Sequence, residues 1–372
     1  MNFSFLAALA TLGIDAAFRL INQARPAASY LFASILPERN MRSYEVKNGS
    51  MSVRSTMAGL VGMDSPYPPG GVVDLSTFLQ RSAKIANTVV MTEESLRTLQ
   101  EMLMYLQLAG QSTNERMVEE VLNFTNALLV QPHLDTAEWL RGQALAMGAI
   151  DWTFNGIRLQ VDYGIPVGNK LTARTGNNAY SGSTSKFWDD IRSQGKLLRK
   201  ASRIIRTAHP DLIEDIIANS VNSIRVLSED SGSITMQRMI SQNGTNTPSS
   251  DARDSVTLIK YGLEAEVLDP TDPTGTVTVP FHPKTKMLAI GTGVNAGYVV
   301  GAGSRAPQEY ELGYTHIAPT VEGSGAPGRW ARVYTPEARP WHLVGESAAN
   351  LLPVIDARAV SQIVIATSDL SS

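Results

Sequence analysis

Cysteine is absent from the 372 residues. That excludes disulfides, thiolate metal sites and a cysteine nucleophile. A basic excess is missing too: Lys+Arg 32 against Asp+Glu 35 leaves a formal net charge of -3. A dedicated nucleic-acid binder normally carries the opposite balance. No apolar run is long enough to span a bilayer. The opening Asn2-Phe3-Ser4-Phe5-Leu6-Ala7-Ala8-Leu9-Ala10 lacks a positive n-region, and Asp15 and Arg19 interrupt the apolar pattern beyond it. It therefore reads as a helical arm packing on a neighbour rather than a signal peptide. Among the five histidines (His133, His209, His282, His316, His342) no pair is four residues apart on a helix, so no zinc motif is present. There is no Gly-x-Ser-x-Gly nucleophile turn. Gly176 and Gly182 are not followed by the Lys-Ser/Thr of a phosphate-binding loop.

What is present is a globular composition, 43% hydrophobic and 18% charged, long enough for two or three compact units. The stretch 43–91 organises the rest. Ser43 to Thr56 is polar or β-branched with loose alternation. A glycine- and proline-rich turn comes next, through Gly59, Pro66, Tyr67, Pro68 and Gly70, and a second extended run covers Val72–Met91. Strands with so little apolar content cannot bury enough area to sit in a core, so a hairpin here is expected to stand off the body and pack on another copy of the chain. Tyr30, Leu31, Phe32, Ile35 and Leu36 have little to bury against locally and read as part of an arm that docks elsewhere. Phe5, Leu9, Tyr30, Phe32, Gly59, Pro66, Tyr67, Pro68 and Gly70 are the candidate inter-subunit residues.

Helices are expected over 3–24, from Thr92 to Gly110, and from Asn114 with Val121, Leu128 and Leu129 on its apolar face. Pro132 should kink or restart this last helix. Asp135-Thr136-Ala137-Glu138 fits a capping box, and Gly148 is a stop. Ile150–Val161 alternates around Asn155-Gly156, a strong hairpin signal that puts Trp152 in the core. A helix is expected from Ser185 with Phe187, Trp188, Ile191, Leu198, Ile204 and Ile205, and another after His209-Pro210-Asp211. Residues 241–253 read as a polar loop. Short strands are expected over 256–261, 264–268, 276–279, 287–290, 298–300, 330–334 and 341–344, with a strong terminal strand at Ala359–Ala366. Helices and strands are segregated, so the class is α+β.

The sharpest cofactor-like signal is Gly291-Thr292-Gly293-Val294-Asn295-Ala296-Gly297 after an apolar strand. A dinucleotide site needs a helix N-terminus aimed at the pyrophosphate. These glycines run instead into Tyr298-Val299-Val300, another strand pattern. Glycine turns between close backbones explain them better. Asp269-Pro270-Thr271-Asp272-Pro273 lacks the spaced oxygen ligands of a calcium loop. Glu119-Glu120 reads as a solvated helix face. No catalytic residue, metal or cofactor is expected.

The order of parts carries a resemblance. Glu138 sits on a long helix that ends in small residues and Gly148. Ile150, the Gly156 hairpin and Val161-Asp162-Tyr163-Gly164 come after it, then a mixed region and a closing strand. This resembles the major capsid proteins of tailed bacteriophages, in particular the lambda major head protein family with its HK-type capsid fold. The resemblance implies an N-terminal arm at 1–42 and an extended β-hairpin loop at 43–91. It implies a peripheral domain at 92–166 with a spine helix, an axial domain at 167–345, and a closing strand of the peripheral domain at 346–372. Val121, Leu128, Glu138 and Trp152 would be spine and core positions. It further implies hexamers and pentamers of the chain in an icosahedral shell around double-stranded DNA held without sequence-specific contact. A separate scaffolding protein, a portal and a decoration protein would be partners, and assembly would occur in the host cytoplasm. A nucleotide-cofactor enzyme using Gly291–Gly297, or a surface binding protein, are the alternative readings.

Overall fold

The computed structural model describes residues 26–27, 29–55, 71–95, 97–98, 101, 126–154, 157–172, 186–198, 201, 203–219, 224–242, 245–251, 254–268, 275–292, 312–334, 342–355 and 360–364. The chain forms two compact units. One gathers Met1–Val46, Arg81–Arg141 and Tyr314–Pro353; the other gathers Lys47–Gln80, Gly142–Gly313 and Val354–Ser372.

The first unit is built on a five-stranded sheet of β1 (Glu38–Asn40), β4 (Ala83–Met91), β16 (Gly313–Ala318), β17 (Trp330–Tyr334) and β18 (Leu343–Ile355). β1 joins β16 in parallel, while β4 and β17 flank β18 antiparallel. A short helix, α1 (Leu31–Ile35), precedes β1. A π-helical turn, Asn126–Val130, leads into the long helix α2 (Gln131–Met147). The expected restart at Pro132 is seen: the π turn ends at Val130 and α2 begins at Gln131. Proline falls at the second residue of α2, and the π turn before it re-spaces the backbone around a ring that carries no N–H donor. Asp135 consequently lies inside the helix instead of capping it. The wide π turn shifts the facing of the residues before Pro132: Leu129 and Val130 are fully buried, while Leu128, expected in the core, is 40% exposed.

The second unit centres on an eight-stranded mixed sheet. Its path runs β11 (Thr245–Pro248), β10 (Ser233–Gln242), β12 (Ser255–Lys260), β8 (Arg203–Ala208), β15 (Lys286–Thr292), β19 (Val360–Val364), β7 (Lys170–Thr172), with β9 (Ile224–Glu229) on β10. A separate antiparallel ribbon pairs β13 (Glu264–Leu268) with β14 (Thr276–Pro280). Helices α3 (Phe187–Leu197) and α4 (Pro210–Asn219) bury Phe187, Trp188, Ile191, Leu212, Ile213 and Ile216 in one cluster with Ile234, Met236, Val256, Leu258 and Met287 of the sheet. Two expectations fail in this unit. Ile204 and Ile205 leave the helix and join β8, as β-branched neighbours favour. The polar stretch after Ser241 pairs as a β10–β11 hairpin, because Thr and Asn side chains tolerate an exposed edge.

β5 (Ala149–Phe154) and β6 (Ile157–Asp162) form the expected hairpin, with Phe154 opposite Ile157. Trp152 is half-buried on it rather than a core residue, because a two-stranded ribbon covers only part of a large ring. Gly148 ends α2 with φ +67°, and its N–H reaches the Ala144 carbonyl at 3.1 Å. A Cβ there would stand 2.5 Å from Ile165 Cδ1. Gly148→Ala is therefore expected to cost about 2–4 kcal/mol, from the left-handed backbone and from overpacking together. Chemical denaturation of the subunit checks this, with Gly164→Ala (φ +64°, open space around its Cβ position) as the milder companion.

Candidate assembly elements

β2 (Glu45–Ser55) and β3 (Gly71–Arg81) pair with each other and with no other described strand. A lone two-stranded ribbon is marginally stable by itself, so something else must hold it. Its root is fixed within the first unit. Ser82 N–H and Oγ–H both donate to the Tyr44 carbonyl, at 3.0 and 3.1 Å. His316 Nε2 lies 2.8 Å from the Ser43 carbonyl. The second extended run, read from sequence as one strand over Val72–Met91, divides at Ser82. β3 stays with β2, whereas β4 zips along β18 from Met91–Leu343 to Ala83–Leu351. Strand periodicity continues through the break, which is why sequence alone does not mark it. Gly59, Pro66, Tyr67, Pro68 and Gly70 of the connecting turn lie outside the described residues, as do Phe5, Leu9 and Val121.

Tyr30 and Phe32, expected to dock on a neighbouring subunit, are buried inside their own first unit. Phe32 is fully enclosed, and its backbone N–H donates to Glu138 Oε1 at 2.8 Å. The Tyr30 hydroxyl donates to Asp135, which also accepts from Gln131 at 3.0 Å. Burial and then the Asp135 carboxylate push the Tyr30 phenol up from its ordinary value. Local hydrophobic patterning gives these residues no partner because the partner lies about a hundred positions away on α2.

Glu138 belongs to a buried ionic group. The Arg141 guanidinium, fully enclosed, donates to Glu38 at 2.8 Å, to Glu138 at 3.2 Å and to Thr315 Oγ1 at 2.7 Å. Arg329 also donates to Glu38, and the Thr315 hydroxyl donates to the Leu36 carbonyl at 3.0 Å. Two cations face two anions, so the charges balance where water is excluded. The group ties α1, β1, β16 and α2 together. Glu138 and Arg141 are three apart on one helix, a spacing legible in the sequence; Glu38, Thr315 and Arg329 carry no local signal.

Groups that could have supported chemistry are committed elsewhere. His133 shares a 2.8 Å contact with Ser347 Oγ, and burial, then Arg329, holds its pKa at about 4. His282 lies between Thr207 Oγ1 at 3.1 Å and the Pro283 carbonyl at 3.0 Å, and burial holds it at about 4 as well. Among the described residues no cluster of three His, Asp or Glu side chains could hold a metal ion. Gly291 sits inside β15, paired with Ile204 of β8, while Gly293–Gly297 lie outside the described residues.

The profile of the phage major capsid protein E family matches residues 18–314. This chain belongs to that family. Its role is therefore structural, as a major capsid protein and component of the virion. Among solved structures it is similar to a protein assigned as the capsid protein of a prophage of E. coli CFT073. That match has 11% identity, covers 95% of this chain and 99% of the other, and has a TM-score of 0.51. A phage-related protein from Bordetella bronchiseptica RB50 matches at 10% identity, 94% and 95% coverage and a TM-score of 0.45. A chain of the satellite phage P4 procapsid matches at 10% identity, 90% and 87% coverage and a TM-score of 0.45. At such identities the likeness concerns the fold, which is the HK-type capsid fold. No curated protein sequence matches the chain. No described helix is long and apolar enough to cross a membrane.

Proposed function

We propose that this major capsid protein builds hexamers and pentamers that close into an icosahedral shell around packaged double-stranded DNA. The β2–β3 ribbon is the observation that carries the reading: it has no third strand among the described residues, and its root is clamped at Tyr44 and Ser82. A ribbon so anchored is suited to lie on a neighbouring copy, and this is the role assigned to 45–81, the part of the expected loop that precedes β4. A closed shell needs one surface to meet a different surface, with rotation closing each ring. Residues before Tyr30 act as the arm of the subunit, since 30–40 pack within the first unit. The first unit, with most of α2 as its spine, serves the periphery of a capsomer, while the eight-stranded sheet and its helices in the second unit serve its axis. A net charge of -3 suits a wall that encloses DNA without trapping it. A separate scaffolding protein, a portal and a decoration protein are the further partners, and assembly takes place in the host cytoplasm. No catalytic step is assigned to the chain.

Negative-stain microscopy and light scattering of the purified protein test the proposal. Rings or shells are the expected outcome. A homogeneous monomer across a concentration series would refute it, as would cofactor absorbance beyond the protein band in a monomeric preparation.

A further inference from the structure

The start of α4 is closed by a titratable side chain. His209 stands immediately before Pro210, the first helical residue. Its carbonyl accepts the Ile213 N–H at 3.2 Å, and its ring Nδ1 accepts the Asp211 N–H at 3.3 Å. These are the two bonds of a helix N-cap, with imidazole in place of the usual hydroxyl or carboxylate oxygen. Pro210 in the first position supplies no N–H to compete. An accepting Nδ1 requires the neutral ring with its proton on Nε2. That nitrogen is buried, has no hydrogen-bond partner among the described residues, and lies 4.0 Å from Glu264 Oε1 of β13.

We propose that His209 is an acid-sensitive cap: neutral, it fastens the N-terminus of α4, and protonation unfastens it. A proton on Nδ1 turns the acceptor into a donor facing another donor, the Asp211 N–H. It also sets a positive charge against the positive end of the helix dipole. The remaining groups facing the ring divide in sign. Lys284, 3.0 Å from Asp211 Oδ2 and 3.9 Å from Glu264, adds positive charge, and fully buried His282 lies close enough to disfavour a second imidazolium. The carboxylates of Asp211, 3.4 Å from Nδ1, and Glu264 pull the other way. Burial outweighs them, and the ring is held below its ordinary pKa. The unfolded segment therefore takes the proton more readily than the folded one. Stability contributed by the cap is complete above the ordinary histidine value of about 6.5 and is lost as pH falls below it.

The cap protects the packing of Leu212, Ile213 and Ile216 in the core of the second unit. Acid would loosen the first turn of α4 before it disturbs the strands beneath. His133 and His282 also favour the neutral form, so global unfolding would mix three histidines; the readout must be local.

Hydrogen–deuterium exchange of the full-length protein, followed by mass spectrometry, gives that readout in peptides covering 210–217. After correction for the intrinsic rate, exchange is expected to rise about fivefold between roughly pH 7.5 and 5.5, as loss of a cap worth ~1 kcal/mol predicts. His209→Asn keeps a capping oxygen and removes the titration, so its exchange should be flat over the same range. His209→Ser provides the same comparison with a second non-titrating cap. A wild-type protein without the acid-dependent rise would overturn the proposal. An equal rise in the folded Asn or Ser variant would overturn it too.

Discussion

Arg141→Met is expected to destabilise the folded chain by about 3–5 kcal/mol, the cost of leaving a buried charge without its partner. The substitution removes three donors at once. Glu38 keeps Arg329, but Glu138, which has no exposed surface, loses the Arg141 guanidinium as its counter-charge while keeping the Phe32 N–H. Glu138→Gln should cost less, about 1–3 kcal/mol, since an amide oxygen still accepts from Phe32 and Arg141 retains Glu38 and Thr315. The shift of the urea midpoint, measured on the unassembled subunit, checks both values. The order matters more than either number: if the Gln variant were the less stable of the two, Arg141 would not be the centre of the group. The buried net balance also explains why a long arginine is tolerated in a helix otherwise packed by Leu134, Ala137, Leu140 and Ala144.

Replacing Gly59–Gly70 by a short glycine–serine turn is expected to abolish particles while leaving the subunit folded. The residues that clamp the ribbon, Tyr44 and Ser82, are untouched, and so is every strand of the two large sheets. The melting midpoint should stay within about 0.5 kcal/mol of the parent in free-energy terms, as for surface changes away from packed features. Sedimentation should show material no larger than capsomers. Shells of normal size would remove the loop from the assembly mechanism, whereas a collapsed melting transition would show that the turn is needed by the subunit itself.

How much of the fold is legible in the sequence depends on the range of the interactions. The 149–162 hairpin announces itself, because Asn155-Gly156 between alternating runs specifies both partners locally. Gly148 is legible as a helix stop for the same reason. Pro132 is legible as the place where the helix restarts, although the π turn that precedes it leaves no composition signature. Tyr30 and Phe32 look unpartnered because their partners, Asp135 and Glu138, lie more than a hundred residues away. The terminal stretch that reads as one closing strand separates into β18, which serves the first sheet, and β19, which serves the second. Apolar continuity through Ile355 hides that change of partner. The resemblance to phage head proteins rests on the order of short motifs, and order survives sequence divergence better than side-chain contacts do.

The first sheet also bears on synthesis. It marries residues 38–40 and 83–91 to 313–318 and 343–355, so its inner strand leaves the ribosome long after β1 and β4. Pairings this distant in sequence form slowly and late. A polypeptide released early, before residue 343, lacks the strand on which β4 and β17 lie. Such fragments cannot complete the first sheet.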